Sequence, residues 1–251
     1  MTKHSESTHA KNLTNFAALI EVLRSFGTVY QPANAQLEIS RLQALLLQAQ
    51  EAQALFNQRK SAYSDAVDKQ QLAFADVTGL TTRVGNALKA SGTSAKSLET
   101  FNTVARKVKG RRATPLKTAA RPAANATGQE QPAALTGKVS AAQTGYANRI
   151  DNFALLIETL KTDTLYQPNE QQLKLAGLDE KLAAMRQSYQ EAAAGMADLQ
   201  QARDQRNQWL YAPERGMIAV VSSIKAYVKS IFPVNTAQYK HVAALSFKVQ
   251  H

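Results

Sequence analysis

Asn15-Phe16-Ala17-Ala18-Leu19-Ile20-Glu21-Val22-Leu23 returns later in the chain as Asn152-Phe153-Ala154-Leu155-Leu156-Ile157-Glu158-Thr159-Leu160, identical at seven of nine positions. Within it Phe16, Leu19, Ile20 and Leu23 recur at i, i+3, i+4 and i+7, the spacing of one apolar stripe on a helix. Each copy runs into the same turn, Tyr30-Gln31-Pro32 and Tyr166-Gln167-Pro168. The spacing between copies then holds along the chain: Leu42 and Leu178 lie 136 apart, Gly79 and Gly216 137 apart, Phe101 and Tyr239 138 apart. The sequence reads as two copies of one helical unit. Two copies are too few to argue for a solenoid, so a pair of bundles is the simpler expectation.

Working outward, the first unit predicts a helix over 13–25, with Gly27 ending it. Asn34 follows the Tyr-Gln-Pro turn and can cap the next helix by accepting from a first-turn N–H. That helix is long, 35–77, with Leu37, Ile39, Leu42, Leu45 and Leu46 as early core positions. Phe56, Tyr63, Val67, Leu72 and Phe74 come later, beyond a middle rich in Ala and Gln. Thr78-Gly79 predicts a break, then a helix over 80–90. Ser94 caps a last one carrying Leu98, Phe101, Val104 and Val108. The second unit repeats short, long, short, short: 147–163, then 170–211 with Asn169 as cap and Leu173, Leu175, Leu178, Leu182, Met185 and Tyr189 on its stripe. Ala212-Pro213 stops the long helix. Residues 217–232 form the most apolar helix of the chain, Pro233 ends it, and Asn235 or Thr236 caps a last helix with Tyr239, Val242 and Leu245.

Composition agrees with an all-α fold. Hydrophobic residues make up 44% of the chain and aromatics 7%, with 11 Gly and 7 Pro in 251 residues, so long stretches lack helix breakers. The expected layout is a flexible lead-in over 1–12, one four-helix unit over 13–108, a Pro- and Ala-rich basic linker over 109–145 and a second unit over 146–251. Cysteine is absent, which excludes disulfides and thiolate chemistry. No run reaches the roughly 18–20 apolar residues of a membrane span. Residues 1–12 lack the apolar core of a signal peptide. The expectation is a soluble, cytoplasmic protein.

Net charge is +11, and +7 of it falls in 106–138. Arg106, Lys107, Lys109, Arg111, Arg112, Lys117 and Arg121 lie within sixteen residues that hold no acid. Such a run can neutralise phosphates and release counterions in a salt-sensitive, sequence-independent way. No aromatic interleaves it, so stacking on single-stranded bases has no support. As a plain alternative it is a solubilising linker.

Signals for catalysis are absent. There is no Gly-rich phosphate loop, and no Ser, His and Asp set in a suggestive context. His4 and His9 read as part of a solvated tail, His241 as a surface residue, and His251 ends the sequence given. Asp65 with Asp68, and Asp179 with Glu180, sit among Lys and Gln and read as solvated helix faces, whereas acid–base chemistry needs tuned carboxylates. Tyr30 and Tyr166 read as helix-junction packing residues. No catalytic residue, cofactor or metal ligand is expected. Three function classes remain. The first is a non-catalytic helical interaction or scaffold protein with a protein partner. The second is a nucleic-acid-associated protein that uses the basic linker. The third is a membrane-active protein that uses residues 217–232, with Lys225 and Lys229 on the polar stripe.

Overall fold

The structure is a computed structural model that describes residues 3–110 and 145–249, with side chains from residue 8 onward. No strand occurs among the described residues; the chain is all-α. The helices are α1 (Lys3–Ser25), α2 (Ile39–Ala75), α3 (Val77–Ala90), α4 (Ala95–Val108), α5 (Tyr146–Lys161), α6 (Leu175–Tyr211), α7 (Met217–Ile231) and α8 (Ala237–Ala244). Single 3-10 turns at Gly27–Val29 and Ala35–Leu37 bracket the first Tyr-Gln-Pro turn. Asn34 caps the second of them, its side chain accepting from the Gln36 N–H at 3.0 Å. Ser94 and Thr236 cap α4 and α8 by accepting from the N–H groups of Ser97 and Tyr239.

Two compact units are present, and they cut across the expected ranges 13–108 and 146–251. Unit 1 comprises residues 1–65 and 193–251; unit 2 comprises 66–192. The long helices α2 and α6, 37 residues each, contribute one end to each unit. The repeated stretch therefore seeds two cores. In unit 1, Phe16, Leu19, Ile20 and Leu23 pack with Leu42 of α2, Leu210 of α6, and Met217, Val221, Ile224 and Val228 of α7. In unit 2, Phe153, Leu156, Ile157 and Leu160 pack with Leu178 and Met185 of α6, Phe74 of α2, Val84 and Leu88 of α3, and Phe101 and Val108 of α4. Side chains fully removed from water are worth about 1.5–3 kcal/mol each, so these cores carry the units. A smaller cluster within unit 1 joins Phe56 of α2 to Leu199 and Ala202 of α6. Beside it Arg59 pairs with Asp198 at 3.1 Å, and the Arg206 guanidinium lies 4.2 Å over the Phe56 ring.

Several local expectations are corrected. Residues 3–12 are helical rather than a frayed lead-in, because His9, Asn12 and Leu13 continue the Phe16 stripe and are buried. The break in the first half falls at Asp76, not at Thr78-Gly79. Val77 starts the buried stripe Val77, Leu80, Thr81, Val84 and Leu88, and Gly79 sits inside α3 in open space. Leu72 and Tyr189 are exposed, the first by 74%, since the stripes of α2 and α6 face cores only where a unit covers them. Residues 170–174 form a turn ahead of α6, closed by the Leu173 and Lys174 N–H groups on the Glu170 carbonyl. Gly216 closes the α6–α7 corner, where a Cβ would meet the Ala212 backbone. Gly85 lets α4 approach α3; a Cβ there would stand 2.9 Å from the Phe101 ring. The expected flexible linker lies outside the described residues apart from Lys109, Gly110 and Gly145.

Because each unit draws on both sides of 111–144, two fragments cut in that segment depend on each other. Co-expressed fragments 1–128 and 129–251, one of them tagged, are expected to copurify at equal stoichiometry and melt in cooperative transitions. Recovery of each fragment as a separate folded monomer would contradict the shared architecture.

Candidate functional site

The two Tyr-Gln-Pro turns are locked in the same way. The Tyr30 hydroxyl donates to the Leu37 carbonyl at 2.8 Å, and the Tyr166 hydroxyl to the Leu173 carbonyl at 2.6 Å. Both rings are buried. Burial pushes the Tyr30 phenol up to about 12, with Tyr227 adding to the effect. Burial likewise pushes Tyr166 up to about 12, with Glu170 adding to it. The tyrosines pin the turn ahead of each long helix, which is the packing role expected of them.

What covers the turn differs between units. In unit 1, Tyr227 of α7 accepts the Gln31 N–H on its hydroxyl at 3.1 Å, and its ring meets Tyr30 edge-on at 5.4 Å. Phe26 and Phe232 close the same junction at 4.9 Å. In unit 2 the Thr93 hydroxyl donates to the Asp163 carboxylate. Between α3 and the second turn lies an open cleft of about 570 Å³, lined by Arg83, Asn86, Ala87, Ala90, Ser91, Gln167, Pro168, Asn169, Glu170 and Leu173. Arg83 also borders a second cleft of about 590 Å³, which includes Asp76, Gln172, Glu180 and Lys181. There Lys181 pairs with Asp76, and Arg83 donates to the Gln172 side-chain oxygen at 3.0 Å. The clefts combine small apolar walls with hydrogen-bonding rims.

A second polar cluster lies in unit 1. The Tyr211 hydroxyl stands 2.7 Å from His9 Nδ1, and Asn12 Nδ2 donates to the same hydroxyl at 3.4 Å. Burial raises the Tyr211 phenol, opposed by the Asn12 hydrogen bond and the Arg206 charge. Asn12 also clasps the backbone of Lys248, donating to its carbonyl at 2.8 Å and accepting its N–H at 3.1 Å. Asn15 donates to the Ser246 carbonyl at 2.6 Å. Lys225 Nζ donates to the Leu245 carbonyl at 2.7 Å and lies 5.6 Å over the Phe247 ring. Burial lowers the Lys225 ammonium. Residues 245–248 are thus held against α1 and α7 largely through their main chain.

Of the basic run, Arg106 and Lys107 occupy the last turn of α4, the first half-buried and the second exposed, and Lys109 follows as its C-cap. Cations suit that end of a helix, where carbonyl dipoles point outward. Arg111, Arg112, Lys117 and Arg121 lie outside the described residues. His241 is exposed, as are Asp65, Asp68, Asp179 and Glu180. Among the described residues no group of His, Asp and Glu is placed to hold a metal ion. The apolar face of 217–232 packs into the unit 1 core through Met217, Val220, Val221, Ile224 and Val228. No described helix is long and apolar enough to cross a membrane. Sequence reasoning missed the α3 cleft, since its key position is an alanine, and missed His9 because its partner is 202 residues away.

No protein-family model, curated protein or solved structure matches this chain.

Tyr30→Phe and Tyr166→Phe each leave a buried carbonyl without its donor and are expected to cost about 1–2 kcal/mol by chemical denaturation. Both phenols hold their proton more tightly in the fold, from an ordinary 10.0 up to about 12. Their contribution is therefore complete below pH 10.0 and declines as pH rises toward about 12. Wild type should lose stability across that window, and the double Phe variant should lose less. Asn12→Ala is expected to cost about 1–3 kcal/mol and to speed amide exchange at Ser246 and Lys248. Unchanged exchange there would show that the clasp does not hold the segment.

Proposed function

We propose that the chain is a non-catalytic helical interaction or scaffold protein, built by internal duplication from a four-helix unit. The copies exchange halves: each compact unit takes its first helix from one copy and its third and fourth from the other. One observation carries the reading. The groups that a catalytic centre would recruit, Tyr30, Tyr166, Tyr211, His9 and Lys225, are each engaged in holding helix junctions or a backbone segment together. The surfaces left for function are clefts and helix faces suited to a protein partner.

A second reading, binding of nucleic-acid phosphate through 106–121, is favoured by the placement of Arg106 and Lys107 at the C-terminal end of α4, directly ahead of the acid-free remainder. The two readings separate on salt. The intact chain would be titrated with random duplex and single-stranded nucleic acid at two ionic strengths. A variant with Arg106, Lys107, Lys109, Arg111 and Arg112 changed to Gln would be run beside it. The interaction reading expects protein partners retained by affinity capture at high salt by both chains. If retention is instead confined to nucleic acid, with a salt slope shallower by up to about 4 in the variant, the polyanion reading replaces it.

A further inference from the structure

Helices α3 and α7 bury the same register. Val77, Leu80, Thr81, Val84 and Leu88 are buried on the first, and Met217, Val220, Val221, Ile224 and Val228 on the second, each pair 140 positions apart, so the 137-residue pairing of Gly79 with Gly216 gives way to Gly79 with Ala219. On that register Ala87 is the counterpart of Tyr227. In unit 1 the Tyr227 phenol fills the junction and takes the Gln31 N–H. In unit 2 the counterpart offers a single methyl, and the space beside Gln167 and Pro168 is the open cleft of about 570 Å³. The fold thus carries, within one chain, a filled and an unfilled form of one site. Unit 1 displays the chemistry that fills it: an aromatic ring with an oxygen acceptor at its tip.

We propose that the unit 2 cleft is a docking site for the phenol side chain of a tyrosine carried on an extended segment of another protein, taking the place that Tyr227 takes in unit 1. Ala87, Pro168 and Leu173 supply the apolar wall for the ring. The Gln167 N–H, counterpart of the Gln31 N–H, supplies the donor for the hydroxyl. Arg83, held by Gln172, and Asn86 stand at the rim to donate to carbonyls of the segment that carries the tyrosine. The volume exceeds that of one ring, as a site that also takes flanking backbone requires. The occupant does not come from residues 111–144 of this chain, which contain no aromatic residue. This assignment names the partner chemistry within the interaction-protein reading and rests on it.

The test is read at the cleft itself, so its failure leaves the partner-capture result standing. The isotope-labelled full chain is titrated with a capped Gly-Tyr-Gly peptide and, separately, with Gly-Phe-Gly, following backbone amides by NMR. The expected result is a saturable shift at Ala87 and Gln167, with affinity at least about five-fold weaker for the Phe peptide, which lacks the hydroxyl. Contacts from the peptide ring protons to the Ala87 methyl should appear in the unmodified protein. Ala87→Tyr should abolish the shifts by filling the cleft from within. Absence of a saturable shift, equal affinity for the two peptides, or ring contacts elsewhere than Ala87 would overturn the proposal. So would shifts that persist in a folded Ala87→Tyr chain.

Discussion

Two helices of 37 residues, α2 and α6, set the terms for everything else in this protein. Neither has one continuous apolar face. The first end of α2 offers Leu42 and Ala49, the far end Phe74, and the middle is largely Ala and Gln. A helix patterned in this way does not bury its whole length in one small core, so its ends join different ones. Each core is then completed by short helices from both halves of the chain. The apolar stripe of α1 is covered in unit 1 by that of α7.

The junctions show what such sharing asks of individual residues. Tyr30 and Tyr166 perform the same task, donating a buried hydroxyl to a carbonyl seven residues on, and both keep their protons against an environment that penalises the phenolate. Around that common lock the two units differ. Unit 1 seals its junction with Tyr227, Phe26 and Phe232; unit 2 uses Thr93 with Asp163 and leaves a cleft. Aromatic rings fill volume and exclude water, whereas a threonine–aspartate pair holds position without filling it. The difference in size between Tyr227 and Ala87 is what turns one structural motif into a sealed corner and an open one.

Local features were legible from residue order. The stripe Phe16, Leu19, Ile20 and Leu23 is buried as its spacing implies, and Ser94 and Thr236 cap α4 and α8 where short polar side chains precede apolar periods, whereas Asn34 caps a single 3-10 turn ahead of α2 and not the long helix itself. The misreadings share a cause. Residues 3–12 look polar and unstructured in isolation, yet His9 and Asn12 are buried because Tyr211 and the Lys248 backbone meet them from far along the chain. Leu72 looks like core by spacing and is exposed because no described residue covers that turn of α2. The candidate cleft was invisible for the same reason: an alanine at position 87 carries no signal until the tyrosine at its counterpart is seen filling the equivalent corner.

Sequence alone determined the helical class, the repetition of the apolar stretch and its turn, the caps, and the concentration of positive charge after α4. These are properties of neighbouring residues, set by periodicity, backbone preference and side-chain chemistry within a few turns. Tertiary structure decided which helices share a core. Local order leaves open whether a short helix packs with its own half of the chain or with the other half. The choice between them is made by contacts 197 and 236 residues apart, Tyr30 against Tyr227 and Asn12 against Lys248. Long-range complementarity of that kind has no signature in local order, and it is what places the cleft beside the second Tyr-Gln-Pro turn.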